Sequence, residues 1–245
     1  MSKTIKLKEN FNLVDLSPEI KTIIGEKTDI VINWYILAKE NLLSASIMID
    51  NVRIPHAIFF IQQSIECLVK GIFLESGIIE EKTVKSINHN PAEIFKNFYQ
   101  KVNYKEGLYY CEMFPQYLNQ GENFEERLAI SAHIANQFTT RYCNLVSGKD
   151  DNNIPEYQNI STLGLDENAS HFYCHLKVNR GFYVQDMLLL LSFVFSNNIE
   201  QEVRYPKENN PEFLPEKEFN KIRIRECLPT IIRIINNILN EKLNF

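Results

Sequence analysis

Between Trp34 and Lys70 two helical patterns follow one another with only a short, proline-marked break, and this arrangement limits what the chain can build. Trp34, Ala38, Asn41, Leu42 and Ala45 recur at steps of three and four, so they share one face of a helix. Small Ala38 and Ala45 let a neighbouring helix approach closely. Pro55 suits a first helical turn, where its missing N–H would be unpaired anyway, and the second pattern runs from there to near Gly77. Its core face reads Ala57, Phe60, Ile61, Ser64, Leu68 and Ile72. The expected centre of the molecule is therefore an antiparallel helix pair. Gln63, Glu66 and Lys70 form a polar stripe beside that core face, with Glu66 placed to pair with Lys70 one turn on. Periodicity alone reads such a stripe as a solvated flank.

The rest of the chain extends the helical theme. Only 8 of the 245 residues are glycine, and neither alternating strand runs with hairpin turns nor an internal repeat is present, which predicts an all-α fold. Residues 1–25 read as an N-terminal arm, and 26–245 as one enlarged helical domain with an insertion at about 100–165. Inside that insertion, Tyr104, Tyr109, Tyr110, Phe114 and Tyr117 form an aromatic cluster with few basic neighbours, which suits packing better than base stacking. A helical block is expected from about Phe124 to Leu145. A loop follows at Ser147 to Pro155, and then a long helix from about Asn168 to Ser196. The last helix, Glu216 to about Leu243, contains Pro229, whose ring should kink or interrupt it.

Composition narrows the function classes. A 44% hydrophobic content is that of a globular chain, and the net charge of −5 gives no general attraction for nucleic acid, so any RNA contact must rest on a local basic patch. No run of purely apolar residues approaches the ~20 needed to cross a bilayer. The opening Met-Ser-Lys-Thr-Ile-Lys-Leu-Lys lacks the apolar middle of a secretory signal, and five cysteines without paired spacing point to a reduced, cytoplasmic setting.

Three stretches resemble the HEPN family, small α-helical domains named for nucleotide binding in higher eukaryotes and prokaryotes. Trp34 to Ala45 meets the family's Trp-x3-Ala-x2-(Asp/Asn)-Leu-x2-Ala; Gln62, Gln63, Glu66 and Lys70 meet Gln-Gln-x2-Glu-x3-Lys; Arg204-Tyr205-Pro206 is similar to the Arg-Tyr-Pro before the family's last helix. Where the family has His-Asp-Leu before a short helix, this chain has His89-Asn90-Pro91. The resemblance covers the two ends of the chain, with no alignable motif from about Pro91 to Arg204. It implies a HEPN-like bundle with extra helices, a homodimer, and a protein acting on or binding RNA or a nucleotide. Defence roles as a toxin-type or abortive-infection endoribonuclease fall within that implication. So does a non-catalytic module that binds a nucleotide, a small nucleotidyltransferase or an antitoxin. No membrane and no cofactor or metal is implied.

Active HEPN ribonucleases show Arg-x(4 to 6)-His, and Arg127-Leu-Ala-Ile-Ser-Ala-His133 is the one forward match. Cleaving RNA without a metal needs a base for the 2′-hydroxyl and a cation for the phosphorane, which His and Arg can supply. Leu128 stands where a polar residue is usual, and six positions on a straight helix turn the pair about 120° apart, so only a helix break or a dimer would join them. A solvated Arg and a core-edge His is the alternative. Lys70, Gln63, Glu66, Arg180, Arg204 and Tyr205 are candidates for nucleotide or phosphate binding, Arg and Lys because they neutralise phosphate. Arg204 could equally anchor a loop. His171, Cys174 and His175 lie on one helical side but lack a remote fourth ligand, so a packed or surface patch is expected there rather than a metal site. Gly-rich phosphate loops, Gly-x-Ser-x-Gly and His-Glu-x-x-His are absent, which disfavours NTPase, hydrolase and zinc-protease readings.

Overall fold

The computed structural model describes residues 29–77, 79–84, 89–94, 123–146, 182–195, 199–205, 210 and 212–243. Among these the protein is predominantly helical and has no strand. The helices are α1 (Asp29–Asp50), α2 (Ile54–Glu75), α3 (Glu81–Val84), α4 (Phe124–Val146), α5 (Phe182–Val194), α6 (Ile199–Arg204), α7 (Pro215–Phe219) and α8 (Ile222–Leu243). A further helical turn occupies 91–94. The expected arm, most of the 100–165 insertion, residues 168–181 with Arg180, His171, Cys174 and His175, and the aromatic cluster lie outside the described residues.

The α1–α2 hairpin forms as the periodicity predicts. Val31, Tyr35, Ala38, Leu42 and Ala45 are the buried positions of α1. Cross-contacts run in antiparallel register: Ser64 Oγ donates to the Ala38 carbonyl at 2.7 Å, and the Tyr35 hydroxyl donates to Glu75 Oε2 at 2.6 Å. One expected core residue is displaced. Trp34 is only half-buried while Tyr35 is wholly buried, because the phase set by Ala38, Leu42 and Ala45 centres the face one position later.

A three-residue turn joins the pair. Arg53 N–H bonds the Met48 carbonyl at 2.7 Å and Val52 N–H that of Ile49 at 2.9 Å, the two bonds of a Schellman cap, with Val52 at φ +57° in the left-handed position that glycine usually fills. A β-branched residue is strained there, and Val52 is 45% exposed, so its side chain gains little by burial. Val52→Gly should stabilise the protein by about 1 kcal/mol, read as a raised urea midpoint at unchanged slope. An unchanged or lowered midpoint would contradict the strained cap.

Around the hairpin, α8 packs on α1 and α4, α5 on α4 and α2, and α6 and α7 on α2. With neighbours on so many sides, α2 is the central helix, buried almost continuously from Ser64 to Phe73. It is also long and apolar enough to cross a membrane by length and composition alone, with a mean hydropathy of 1.5, although 78% of that window is covered by the rest of the fold. The polar stripe is therefore not a solvated flank: Gln62, Glu66 and Lys70 are all buried, and Gln63 is half-buried.

Two further expectations change. The last helix is two, α7 and α8, divided at Asn220 and Lys221. Conversely α8 runs uninterrupted through Pro229. The helix loses one backbone bond there on its exposed side, where water can serve the freed carbonyl, while Leu228, Ile231, Ile234 and Ile235 hold the opposite face in the core.

Candidate functional site

The N-terminal half of α2, the end of α6 with Tyr205, and the start of α7 line an open cleft of about 460 Å³. Its walls include His56, Phe59, Phe60, Arg204, Tyr205 and Glu216. The Arg204 guanidinium lies 5.1 Å from the centroid of the Phe59 ring and 5.2 Å from that of Tyr205, within the range where a cation is attracted to an aromatic face. Tyr205 is 55% exposed, so its ring is accessible from solvent. Glu216 Oε1 stands 4.0 Å from both Arg53 Nη1 and His56 Nδ1 on the same rim. The cleft thus combines accessible rings, cationic groups and one opposing carboxylate.

Two turns further along α2 lies a buried ionic network. Glu66 Oε1 accepts from Lys70 Nζ at 2.7 Å and from His89 Nδ1 at 2.9 Å. Gln62 Nε2 holds the His89 carbonyl at 3.3 Å, and Gln63 donates to Gln62 at 3.0 Å. Lys70 also sits 5.6 Å from the Trp34 ring centroid. Glu66 Oε2 is buried without a hydrogen-bond partner. The same oxygen of one carboxylate therefore ties α2 to the 89–94 segment, and the other oxygen is unsatisfied.

Cys67, next to Glu66, is buried. Burial, reinforced by the Glu66 charge, pushes its thiol up to about 12 against the smaller opposing effects of Lys70 and the Asn41 amide.

Arg127 and His133 both lie on unbroken α4. At six positions they are separated by about 9 Å of rise and about 120° of rotation. Arg127 Nε is buried without a hydrogen-bond partner, as is Ser131 Oγ one turn on. Burial presses the proton affinity of this guanidinium down, and the charge of Glu202 works in the opposite direction. His133 is exposed and its Nε2 lies 2.9 Å from Gln137 Nε2. One chain therefore does not bring the two side chains together.

Of the other sequence candidates, Arg204 and Tyr205 share the cleft, and Lys70, Glu66 and Gln63 share the α2 stripe. Phe59 and His56 were not singled out from sequence, since a phenylalanine on an apolar helix resembles any core residue. Phe59 does stand seven residues before Glu66, the spacing that places both on one face. No family model, no curated protein and no solved structure matches the chain.

Proposed function

We propose that this protein is a HEPN-like helical module that binds a nucleotide or a short single-stranded RNA in the cleft lined by α2, the end of α6 and the start of α7. The observation that carries the reading is the Arg204 guanidinium set against Phe59 and the accessible Tyr205 ring, with His56 and Arg53 on the same rim. Aromatic faces accept any base, and Arg is suited to phosphate through paired N–H donors. Kinship with HEPN proteins gains support from a second convergence. Glu66 and Lys70 belong to one family-like motif, and His89, which opens the segment that departs from the family's His-Asp-Leu, meets both at the Glu66 carboxylate.

The binding reading is favoured over catalysis by Arg127 and His133, because within a protomer those side chains diverge and only a dimer would unite them. Homodimerisation and a nucleotidyltransferase or antitoxin partner remain part of the proposal through the resemblance, and a cytoplasmic setting through the unpaired spacing of the five cysteines.

Fluorescence anisotropy with a labelled oligoribonucleotide and with a labelled adenine nucleotide tests this reading. Wild type should bind at least one of them. Arg204→Ala should weaken that affinity about tenfold or more, the value of one charge-assisted contact. Glu216→Gln should tighten it several-fold by removing the carboxylate that competes for the cations. Affinity untouched by Arg204→Ala, or no binding at all by the wild type, would remove this cleft from consideration.

A further inference from the structure

Among the residues lining the cleft, Glu216 is the acid, set opposite Arg204 and His56. It lies in the first turn of α7, whose place is fixed by Pro215 at its first position and by the core residue Phe219. Phe219 meets Phe124 and Phe213 edge to face at centroid distances of 5.7 and 6.4 Å. The N–H groups of Lys217 and Glu218 both bond the Leu214 carbonyl, at 2.9 and 3.1 Å, which closes the turn around Glu216. Its contacts to Arg53 Nη1 and His56 Nδ1 both use Oε1 and both stand at 4.0 Å, beyond hydrogen-bond length. Among the described residues neither carboxylate oxygen has a hydrogen-bond partner, so both keep their acceptor capacity for a ligand.

A carboxylate repels phosphate, so the phosphate of a nucleotide bound here falls to Arg204, and the group left beside Glu216 must donate hydrogen bonds. A base stacked on the accessible Tyr205 ring turns its edge to the cleft wall. The four bases differ sharply at that edge. Guanine carries two adjacent donors, N1–H and the 2-amino group, which match the two oxygens of an acceptor-only carboxylate. Adenine N1 and cytosine N3 are acceptors that such a carboxylate repels, and the single N3–H of uracil is flanked by two carbonyls.

We propose that Glu216 makes this a guanine-selective cleft, its two oxygens accepting N1–H and the 2-amino group while Arg204 holds the phosphate. This inference rests on the nucleotide-binding reading above and names the base that the same site takes. The tightening expected of Glu216→Gln therefore belongs to ligands without guanine, for which the carboxylate only competes for the cations. With guanine the sign reverses, because the amide that replaces the carboxylate presents its own N–H groups to the donors of the base.

Isothermal titration calorimetry of the full chain with GMP, inosine monophosphate and AMP tests this. Wild type should bind GMP about tenfold or more tighter than AMP, the value of one charge-assisted contact. Inosine monophosphate, which has N1–H but no 2-amino group, should fall between them. The Glu216 side chain is 45% exposed, so Glu216→Gln should fold normally. It should weaken GMP binding about tenfold while tightening AMP binding several-fold, and Arg204→Ala should weaken both alike. Equal affinities for GMP and AMP, with Glu216→Gln tightening both, would overturn guanine selection and leave the binding cleft intact. Weakening of both nucleotides to the same extent by Glu216→Gln would overturn it in favour of a carboxylate on the ribose hydroxyls. If GMP, AMP and the labelled oligoribonucleotide all failed to bind, both readings would fall.

Discussion

Lys70→Ala should destabilise the protein by about 3–5 kcal/mol, the usual result of removing one partner from a buried ion pair. Lys70 is 2% exposed and Glu66 3%. Truncating the lysine leaves a carboxylate deep in the bundle, with one oxygen already unpartnered and the other supported only by His89. It also opens a void against Trp34, which the lysine stem and ammonium now fill. The paired replacement Glu66→Leu/Lys70→Met should behave differently. It removes both charges together, so most of the lost stability should return, and the two single changes should be strongly non-additive. Urea unfolding followed by far-UV circular dichroism measures all four chains of the cycle. Because the pair is shielded from solvent, the Lys70→Ala loss should hardly change between low and high salt. A loss under 1 kcal/mol, or one that vanishes in salt, would mean the lysine is solvated.

The contrast between legible and hidden features follows from what periodicity encodes. Steps of three and four residues fix the phase of a helix, and they located the hairpin and α4 from Phe124 onward. Phase does not say how many neighbours a helix has. The Gln63, Glu66 and Lys70 stripe looked solvated because the burial of Glu66 and Lys70 depends on elements distant in sequence, the 89–94 segment and Trp34 of α1. Tyr35 and Trp34 are adjacent and similar in bulk, so which one enters the core is decided by a shift of one position that small Ala38 and Ala45 permit. In α8 the rule against proline was overridden by tertiary packing of an isoleucine-rich face. At the site, Arg204 and Tyr205 were readable from a motif, but their companion Phe59 and the His89–Glu66 contact exist only after the chain closes. The separation of Arg127 from His133 was readable too, because it needs nothing beyond the geometry of a straight helix.

Gly71→Ala should cost about 1–3 kcal/mol, the usual range for overpacking a filled core, although alanine is intrinsically the better helix former by about 1 kcal/mol. A Cβ at position 71 would fall 2.6 Å from Tyr35 Cε1, 2.9 Å from Tyr35 Cδ1 and 3.3 Å from Trp34 Cβ. The Tyr35 ring has little freedom to withdraw. It is fully buried, and its hydroxyl donates to Glu75 Oε2, which also accepts from Lys242 Nζ of α8 at 2.8 Å. Burial, then the Glu75 charge and hydrogen bond, hold the phenol well above its ordinary titration range, so it remains a neutral donor to an ionised acceptor. Moving the ring would therefore loosen a junction of three helices. Tyr35→Leu in the Gly71→Ala background should recover part of the loss by removing the atoms that collide, and the double change should be less damaging than the sum of the singles. If Gly71→Ala instead raised the unfolding midpoint, helix propensity would outweigh the clash, and α1 and α2 would lie farther apart than their close contact at Gly71 requires.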